Sequence, residues 1–229
     1  MKSLVIIPAY NEEKSICNTV KDIVENAPEF DYIIVNDCSK DETLMVCKTN
    51  GLNVLNLPIN LGIGGAVQTG YQYALKKGYD FAVQFDGDGQ HDAKYLHEMR
   101  DYMKEQQIDM LIGSRFIEKE GFQSSGLRRF GIRFFSGLIR LLTRAKITDP
   151  TSGMRMVNRS VIELFAENYP KDYPEPESAV SIINKGKIIK EYPVVMRERL
   201  EGVSSISPLK SVYYMIKVTL AILFEMLRK

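Results

Sequence analysis

Phe81-Ala-Val-Gln-Phe-Asp-Gly-Asp-Gly-Gln90 decides the fold, because an apolar run breaks directly into two closely spaced aspartates. Residues 81–85 have the composition of a strand buried on both faces. Sheets of such strands bind ligands beyond the carboxyl ends of the strands, which is where Asp86 and Asp88 stand. Two neighbouring carboxylates are costly unless a cation, a proton or a basic group sits against them. Gly87 and Gly89 let the backbone turn sharply and a bulky partner come close. Oxygen-only ligands suit a hard divalent ion, Mg2+ or Mn2+, which commonly bridges one or two carboxylates and substrate phosphates. A solvated Asp-Gly turn fits this segment equally well, so the rest of the chain has to decide.

Outward from this stretch, strand and helix signals alternate. Residues 4–7, 32–35, 53–57 and 110–112 read as further strands, and 12–26, 62–77 and 92–105 as helices. Another helix is expected to open at 38–42, with Ser39 as cap and Glu42 at the capping-box spacing. The alternation predicts an α/β fold of the Rossmann-like kind, a mostly parallel sheet with helices on both faces. The polar segments 8–12, 36–41 and 86–90 should then gather along one edge. Further on, 147–157 reads as a loop and short strand, Pro174-Glu-Pro-Glu177 opens a helix whose Val180, Ile182 and Ile183 can be buried, and 187–194 returns as a strand.

A length of 229 residues suits one large domain, or one domain with an appendage. Lys+Arg 30 against Asp+Glu 29 leaves no global field to select nucleic acid. Cys17, Cys38 and Cys47 lack metal-ligand spacing and fit reduced thiols in a cytosolic protein. The apolar run before Pro8 is too short for a signal peptide, and no uncharged stretch has transmembrane length. Residues 127–146 carry Arg128, Arg129, Arg133, Arg140, Arg144 and Lys146 with no acidic residue, interleaved with Phe130, Phe134, Phe135, Leu138, Leu141 and Leu142. That is a basic amphipathic helix, suited to an anionic membrane surface or to a solvated face over a core. Residues 206–227 are rich in Tyr, Ile, Leu and Met, interrupted by Lys210, Lys217 and Glu225. They suit a helix lying in the membrane interface, with Tyr213 and Tyr214 at the headgroups, or one that docks on another protein. The expected division is a catalytic domain over 1–205 and a C-terminal interfacial or docking helix over 206–229.

Six phrases fall in an order that resembles family 2 glycosyltransferases of the GT-A fold. They are Val5-Ile-Ile-Pro-Ala-Tyr-Asn-Glu12, Val35-Asn-Asp-Cys-Ser-Lys-Asp41, Asn60-Leu-Gly-Ile-Gly-Gly-Ala66, Asp86-Gly-Asp88 with Gln90-His91, Gly113-Ser-Arg115, and Asp149-Pro-Thr-Ser-Gly-Met-Arg155. The last two resemble the branch that makes polyprenyl-phosphate sugars, the dolichol-phosphate mannose synthase type, and the chain looks most like short bacterial members acting on undecaprenyl phosphate. Two departures stand out: Asn36 where the family usually has Asp, and Gly87 where this branch commonly has Ala.

The resemblance implies roles. Pro8, Tyr10, Glu12, Val35 and Asp37 would surround the donor's base and ribose, with Gly62 and Asp86 also in the donor site. Asp86, Asp88 and Gln90 would hold Mg2+ or Mn2+, Asp88 most directly. Arg115 and Arg129 would grip the acceptor phosphate, for which guanidinium is the right chemistry. Arg199, in Arg199-Leu-Glu-Gly202, resembles the part of a loop that closes over the diphosphate. His91 reads as structural and His97 as a surface residue without a visible partner. Asp149 reads as a loop organiser.

The implied reaction is inverting transfer of a hexose or N-acetylhexosamine from a nucleotide sugar, a UDP-sugar first, to undecaprenyl phosphate. It would run on the cytoplasmic face of the membrane, with a small membrane protein or a second copy as further partners. Two alternatives stay open. One is a polysaccharide-building transferase, whose sugar-hydroxyl acceptor would need a carboxylate base, Glu175 or Glu177. The other is a non-catalytic nucleotide-binding scaffold.

Overall fold

The computed structural model of the chain describes residues 1–118, 120–121, 126–197 and 208–227. Arg199 and Gly202 lie outside the described residues. A seven-stranded sheet runs in the order β3-β2-β1-β4-β6-β5-β7. Its strands are β1 (Ser3–Ala9), β2 (Phe30–Asn36), β3 (Val54–Asn56), β4 (Phe81–Gln84), β5 (Met110–Ser114), β6 (Arg155–Asn158) and β7 (Ile189–Pro193). Strand β1 shows why the sheet is covered twice. Leu4 and Ile6 enter one hydrophobic cluster and Val5, Ile7 and Ala9 the other, all of them buried. Alternate side chains point to opposite faces, so a continuous apolar run feeds two cores. One face is covered by α1 (Ile16–Asn26), α2 (Thr43–Thr49) and α4 (Tyr95–Glu105). The other is covered by α3 (Gly62–Lys77), α5 (Gly126–Thr143), α6 (Arg159–Glu167), α7 (Pro174–Asn184) and α8 (Pro208–Leu227).

The expected α/β architecture holds, with one strand whose direction alternation did not reveal. Strand β6 is antiparallel to both of its neighbours, with Arg155 opposite Gln84 on β4 and Ile112 on β5. It therefore begins at the edge where β1, β2 and β4 end. The loop 149–154 is delivered to that edge from the second half of the chain.

Local details also differ from expectation. A turn precedes α1, in which the Ile16 N–H donates to the Glu12 carbonyl at 3.0 Å, so the helix starts at Ile16. The Ser39 capping box does not form. Ser39 Oγ donates to Asn36 Oδ1 and accepts from the Asn11 N–H at 3.0 Å, while Asp41 Oδ1 accepts from the Thr43 N–H at 3.0 Å as α2 begins. Ser39 thus ties the end of β2 to the turn after β1.

Helix α5 buries Ile132, Phe135 and Ile139 and exposes Arg129, Arg133 and Arg140, with Phe130, Phe134 and Leu141 exposed beside them. Arg144 and Lys146 are exposed just past its end. Helix α8 joins the core through Val218 and Ile222. Tyr214 packs edge-on against Phe135 and Tyr173, with ring centroids 5.5 and 4.6 Å apart, so it serves the core and only Tyr213 of that pair is exposed. The outer face of α8 presents Ile216, Leu220, Leu223, Phe224 and Leu227. No helix among the described residues is long and apolar enough to cross a membrane.

Candidate active site

The three polar segments expected at one edge do meet there. A cleft of about 440 Å³ is lined from the end of β1 (Pro8, Ala9, Tyr10, Glu12), the end of β2 (Asp37), the start of α3 (Asn60, Gly62, Ile63, Ala66), the end of β4 (Asp86, Gly87, Asp88) and the start of α7 (Glu175). Most of the residues singled out from the sequence for the donor and the metal share this one space.

The β1 and β2 side is rigid. Asp37 is buried, its Oδ1 accepting from the Leu61 N–H at 2.7 Å and its own N–H donating to the Ala9 carbonyl at 2.9 Å. Asn60 donates to the Asp37 carbonyl and accepts from the Gly62 N–H, at 3.0 and 3.2 Å. A carboxylate is thus held just ahead of the α3 N-terminus, where the helix dipole favours it. Tyr10 stands at the cleft with 42% of its surface exposed, open to a flat ligand. Asn36 is buried; it donates to Asn56 Oδ1 at 2.6 Å and accepts from Ser39. An ionised Asp has no donor for Asn56, which gives the Asn36 departure a structural reason. Val35 does not line the cleft. Its side chain is fully buried in the core, and its backbone registers with Pro8.

At the end of β4, Asp86 is oriented by buried neighbours. Its Oδ1 accepts from Gln84 Nε2 at 3.2 Å, and its N–H donates to His91 Nδ1 at 3.3 Å. A neutral His91 then carries its proton on Nε2, 3.6 Å from Asp86 Oδ2. Asp88 Oδ1 accepts from the Gln90 N–H at 3.1 Å, and Thr19 Oγ1 donates to the Gly87 carbonyl at 3.1 Å. Gly87 packs tightly against β1, since a Cβ there would lie 3.2 Å from the Pro8 carbonyl oxygen. Gly153, in the loop entering β6, lies closer still: a Cβ would intrude on both Asp86 carboxylate oxygens, 3.0 Å from Oδ1. Among the described residues, no three His, Cys, Asp or Glu side chains converge into a metal cage. Two cleft-facing carboxylates nevertheless fit a hard cation that takes its remaining oxygens from phosphate and water. Gln90 is not part of the cleft lining. Its Nε2 donates to the Arg197 carbonyl at 3.4 Å and its carbonyl accepts from the Arg197 N–H at 2.8 Å.

The arginines separate. Arg115 forks onto Asp149, Nε to Oδ2 at 2.6 Å and Nη2 to Oδ1 at 2.7 Å, with Asp149 fully buried. One fork of its guanidinium is thus taken up within the protein, by the Asp149 that organises the loop 149–154. Arg129 is exposed near the start of α5, outside the cleft lining. His97 is not partnerless: its Nδ1 pairs with Glu29.

Two functional neighbours, Arg155 and Gln84, were not legible beforehand, and a third, Glu175, was left open. Arg155 is buried, and its guanidinium donates to the carbonyls of Pro150, Ser152 and Glu175 and to Ser178 Oγ. It clamps the loop before β6 to the first turn of α7. Gln84 is fully buried and donates to Asp86 Oδ1 at 3.2 Å. Glu175 itself, left open as a base or a helix-terminal charge, lines the cleft, whereas Glu177 does not. Burial pushes the Glu175 carboxyl above the usual carboxylate range; the Arg155 charge pulls it back and the Asp86 charge adds to the rise. The only advance signs were a Gln inside an apolar strand and an Arg inside a run that the fold buries.

Comparison with known proteins agrees with this geometry. The model of glycosyl transferase family 2 matches residues 4–165. A UDP-N-acetylglucosamine–dolichyl-phosphate N-acetylglucosaminyltransferase of Methanococcus voltae is 33% identical over 210 residues, covering 83% of each chain. An undecaprenyl-phosphate mannosyltransferase of Micrococcus luteus is 29% identical, over 90% of this chain and 88% of the other. A polyprenol monophosphomannose synthase of Mycolicibacterium smegmatis is 28% identical, over 90% and 81%. Glucosyl-3-phosphoglycerate synthase of Mycobacterium tuberculosis, solved with UDP, superposes with a TM-score of 0.74 at 16% identity, over 98% of this chain and 80% of that one. This likeness carries the fold alone. The chain belongs to glycosyl transferase family 2, in the branch that its polyprenyl-phosphate sugar transferase relatives define.

Proposed function

We propose that this glycosyltransferase moves a hexose or N-acetylhexosamine from a UDP-sugar to undecaprenyl phosphate, with inversion at the anomeric carbon. The observation that carries the reading is the meeting of Asp86 and Asp88 with Tyr10, Asp37 and Gly62 in one cleft. Tyr10 and Asp37 offer a flat face and a hydrogen-bond acceptor to a base. Asp86 and Asp88 would hold Mg2+ or Mn2+, which when bound supplies Lewis-acid neutralisation of a departing nucleoside diphosphate. M. tuberculosis glucosyl-3-phosphoglycerate synthase was solved with Mn2+ or with Mg2+ alongside UDP, which supports this choice of ion by analogy.

The acceptor side follows from charge. A lipid phosphate is already ionised near neutral pH, so its oxygen needs no general base. Catalysis then rests on positioning and charge control. Arg129, exposed at the foot of α5, is the arginine we assign to the acceptor phosphate, and Arg199 is proposed to assist from outside the described residues. Arg115 supports them indirectly, by fixing the loop at Asp149. The exposed arginines of α5 and the apolar outer face of α8 suit peripheral binding to an anionic membrane, on the cytoplasmic side where nucleotide sugars are made. The same face would serve a small membrane protein or a second copy of the chain.

The test is a donor screen with purified protein, Mg2+ or Mn2+, labelled nucleotide sugars, and either undecaprenyl phosphate or oligosaccharide as acceptor. Sugar should move to the lipid phosphate, and more efficiently with anionic vesicles present. A sugar-hydroxyl acceptor would find its base in Glu175, so product on oligosaccharide alone would replace the lipid reading. No turnover with any acceptor would leave a nucleotide-binding scaffold.

A further inference from the structure

Glu175 has no task in the reaction so far described, yet it reaches the cleft and is held there with care. Its backbone carbonyl is fixed by Arg155 and by Ser178 Oγ, the latter at 3.1 Å, and Tyr173 enters the helix in the left-handed region with φ 52°. Its carboxyl is buried close enough to Asp86 and to Gln84, the amide that orients Asp86, to feel both. Gln84 also accepts from the Tyr169 hydroxyl at 3.4 Å, so its carboxamide has little freedom to turn. Glu175 is therefore a positioned group.

Its place in the cleft narrows what it can meet. The base-facing residues Tyr10 and Asp37 come from β1 and β2, while Glu175 lines the cleft from α7, near enough to Asp86 at the β4 end to feel its charge. A nucleotide sugar laid from Tyr10 past Asp86 and Asp88 brings its sugar to that end. A carboxylate there cannot serve the diphosphate, because like charges repel. It does not complete a metal cage with the two aspartates among the described residues. What remains is a ligand that donates hydrogen bonds to oxygen, and a sugar's hydroxyls are such donors.

We infer that Glu175 is a specificity-determining residue, accepting a hydrogen bond from a hydroxyl of the donor's sugar at the Asp86 end of the cleft. This rests on the donor reading above and adds the group that reads the sugar. A polar site built for a hydroxyl discriminates strongly against a ligand that lacks it, because its own buried group is left unpaired.

The experiment is a double-mutant cycle between Glu175 and the hydroxyls of the preferred donor, using donors deoxygenated at one position at a time. In the wild type, one deoxygenation should lower kcat/KM by about 10–100-fold. In Glu175→Ala the same deoxygenation should cost less than about threefold, while losses at the other positions match the wild type. By calorimetry, Glu175→Ala should weaken binding of the UDP-sugar and leave UDP unchanged. Glu175→Gln, which keeps an acceptor oxygen, serves where the Ala variant fails to fold; it should blunt the same single hydroxyl. Losses that add at every position overturn the assignment, as does equal weakening of UDP and UDP-sugar. Restoration of Glu175→Ala turnover by added formate would make Glu175 a base and overturn it too. A wild type that turns over but shows additive losses defeats Glu175 alone. A wild type that transfers no sugar defeats the donor reading, and this assignment with it.

Discussion

The two ends of the cleft are built on different principles. At the β1–β2 end, each lining group follows directly on a strand, and its hydrogen bonds reach nearby parallel elements: Asp37 to Ala9 and Leu61, Ser39 to Asn36 and Asn11. At the Asp86 end, the lining depends on groups far apart in sequence. Gln84 and Gly153 flank Asp86, Glu175 reaches the same space from α7, and Arg155 clamps 150–152 to α7. The first end repeats one pattern, strand ends tied to their neighbours. The second is a buried polar scaffold that works only when all of its members are in place. Changes at the Asp86 end should therefore remove function or stability outright, and changes at the other end should be graded.

The largest effect is expected at the acidic pair. Asp88→Asn removes a cleft-facing charge without altering shape, and should lower sugar transfer about 10³-fold while the thermal midpoint moves little. Near-wild-type turnover would detach the cleft's acids from the chemistry. Next comes Arg115→Met. It leaves Asp149 buried and unpaired, a change that costs about 3–5 kcal/mol of stability. Urea unfolding should show it as a lower midpoint at unchanged slope. If stability held and only acceptor KM rose, Arg115 would be a phosphate ligand after all.

Gly153→Ala sharpens the comparison further. The new methyl would press on both carboxylate oxygens of Asp86, which has Gln84 and His91 on its other sides. Displacing Asp86 by a fraction of an ångström to an ångström should lower kcat about 10²-fold. Mn2+ binding in the presence of UDP, followed by electron paramagnetic resonance, should weaken in step. Full activity would mean that the loop entering β6 yields, and that this end of the cleft is less fixed than its hydrogen bonds imply.

The same division explains what could be seen from the sequence. The alternation of residues 4–7, 32–35 and 81–85 with helical segments was enough to place strand ends on one edge, because period and polarity are local properties. Asp86 and Asp88 stood out because they follow an apolar strand, and Asp37 and Tyr10 through the resemblance of their phrases to family 2 glycosyltransferases. The direction of strand β6 was not legible, since four residues, Arg-Met-Val-Asn, say nothing about it. Arg155 looked like one more cation, and only the surrounding carbonyls make it a buried clamp. The resemblance gave Arg115 to the acceptor phosphate, and its pairing with Asp149, 34 residues away, was not visible in the sequence. Long-range pairing of charges has no signature in local spacing, so that end of the site had to be seen in three dimensions.

The smallest effect tests the β1–β2 end. If Ser39 capped α2, its loss would fray that helix; the structure instead has it bridging Asn36 and the Asn11 N–H, with Asp41 meeting Thr43 at the helix start. Ser39→Ala should therefore cost about 1 kcal/mol, the worth of an ordinary hydrogen bond. Hydrogen exchange should locate the loss in the turn around Asn11 and leave the amides of α2 protected. Because Asn11 adjoins Tyr10, the variant should raise the KM for the nucleotide sugar a fewfold with kcat unchanged, the mark of uniform binding lost. Faster exchange confined to Thr43–Thr49 would restore Ser39 as a cap, and would mean that the β1–β2 edge holds its shape without this link.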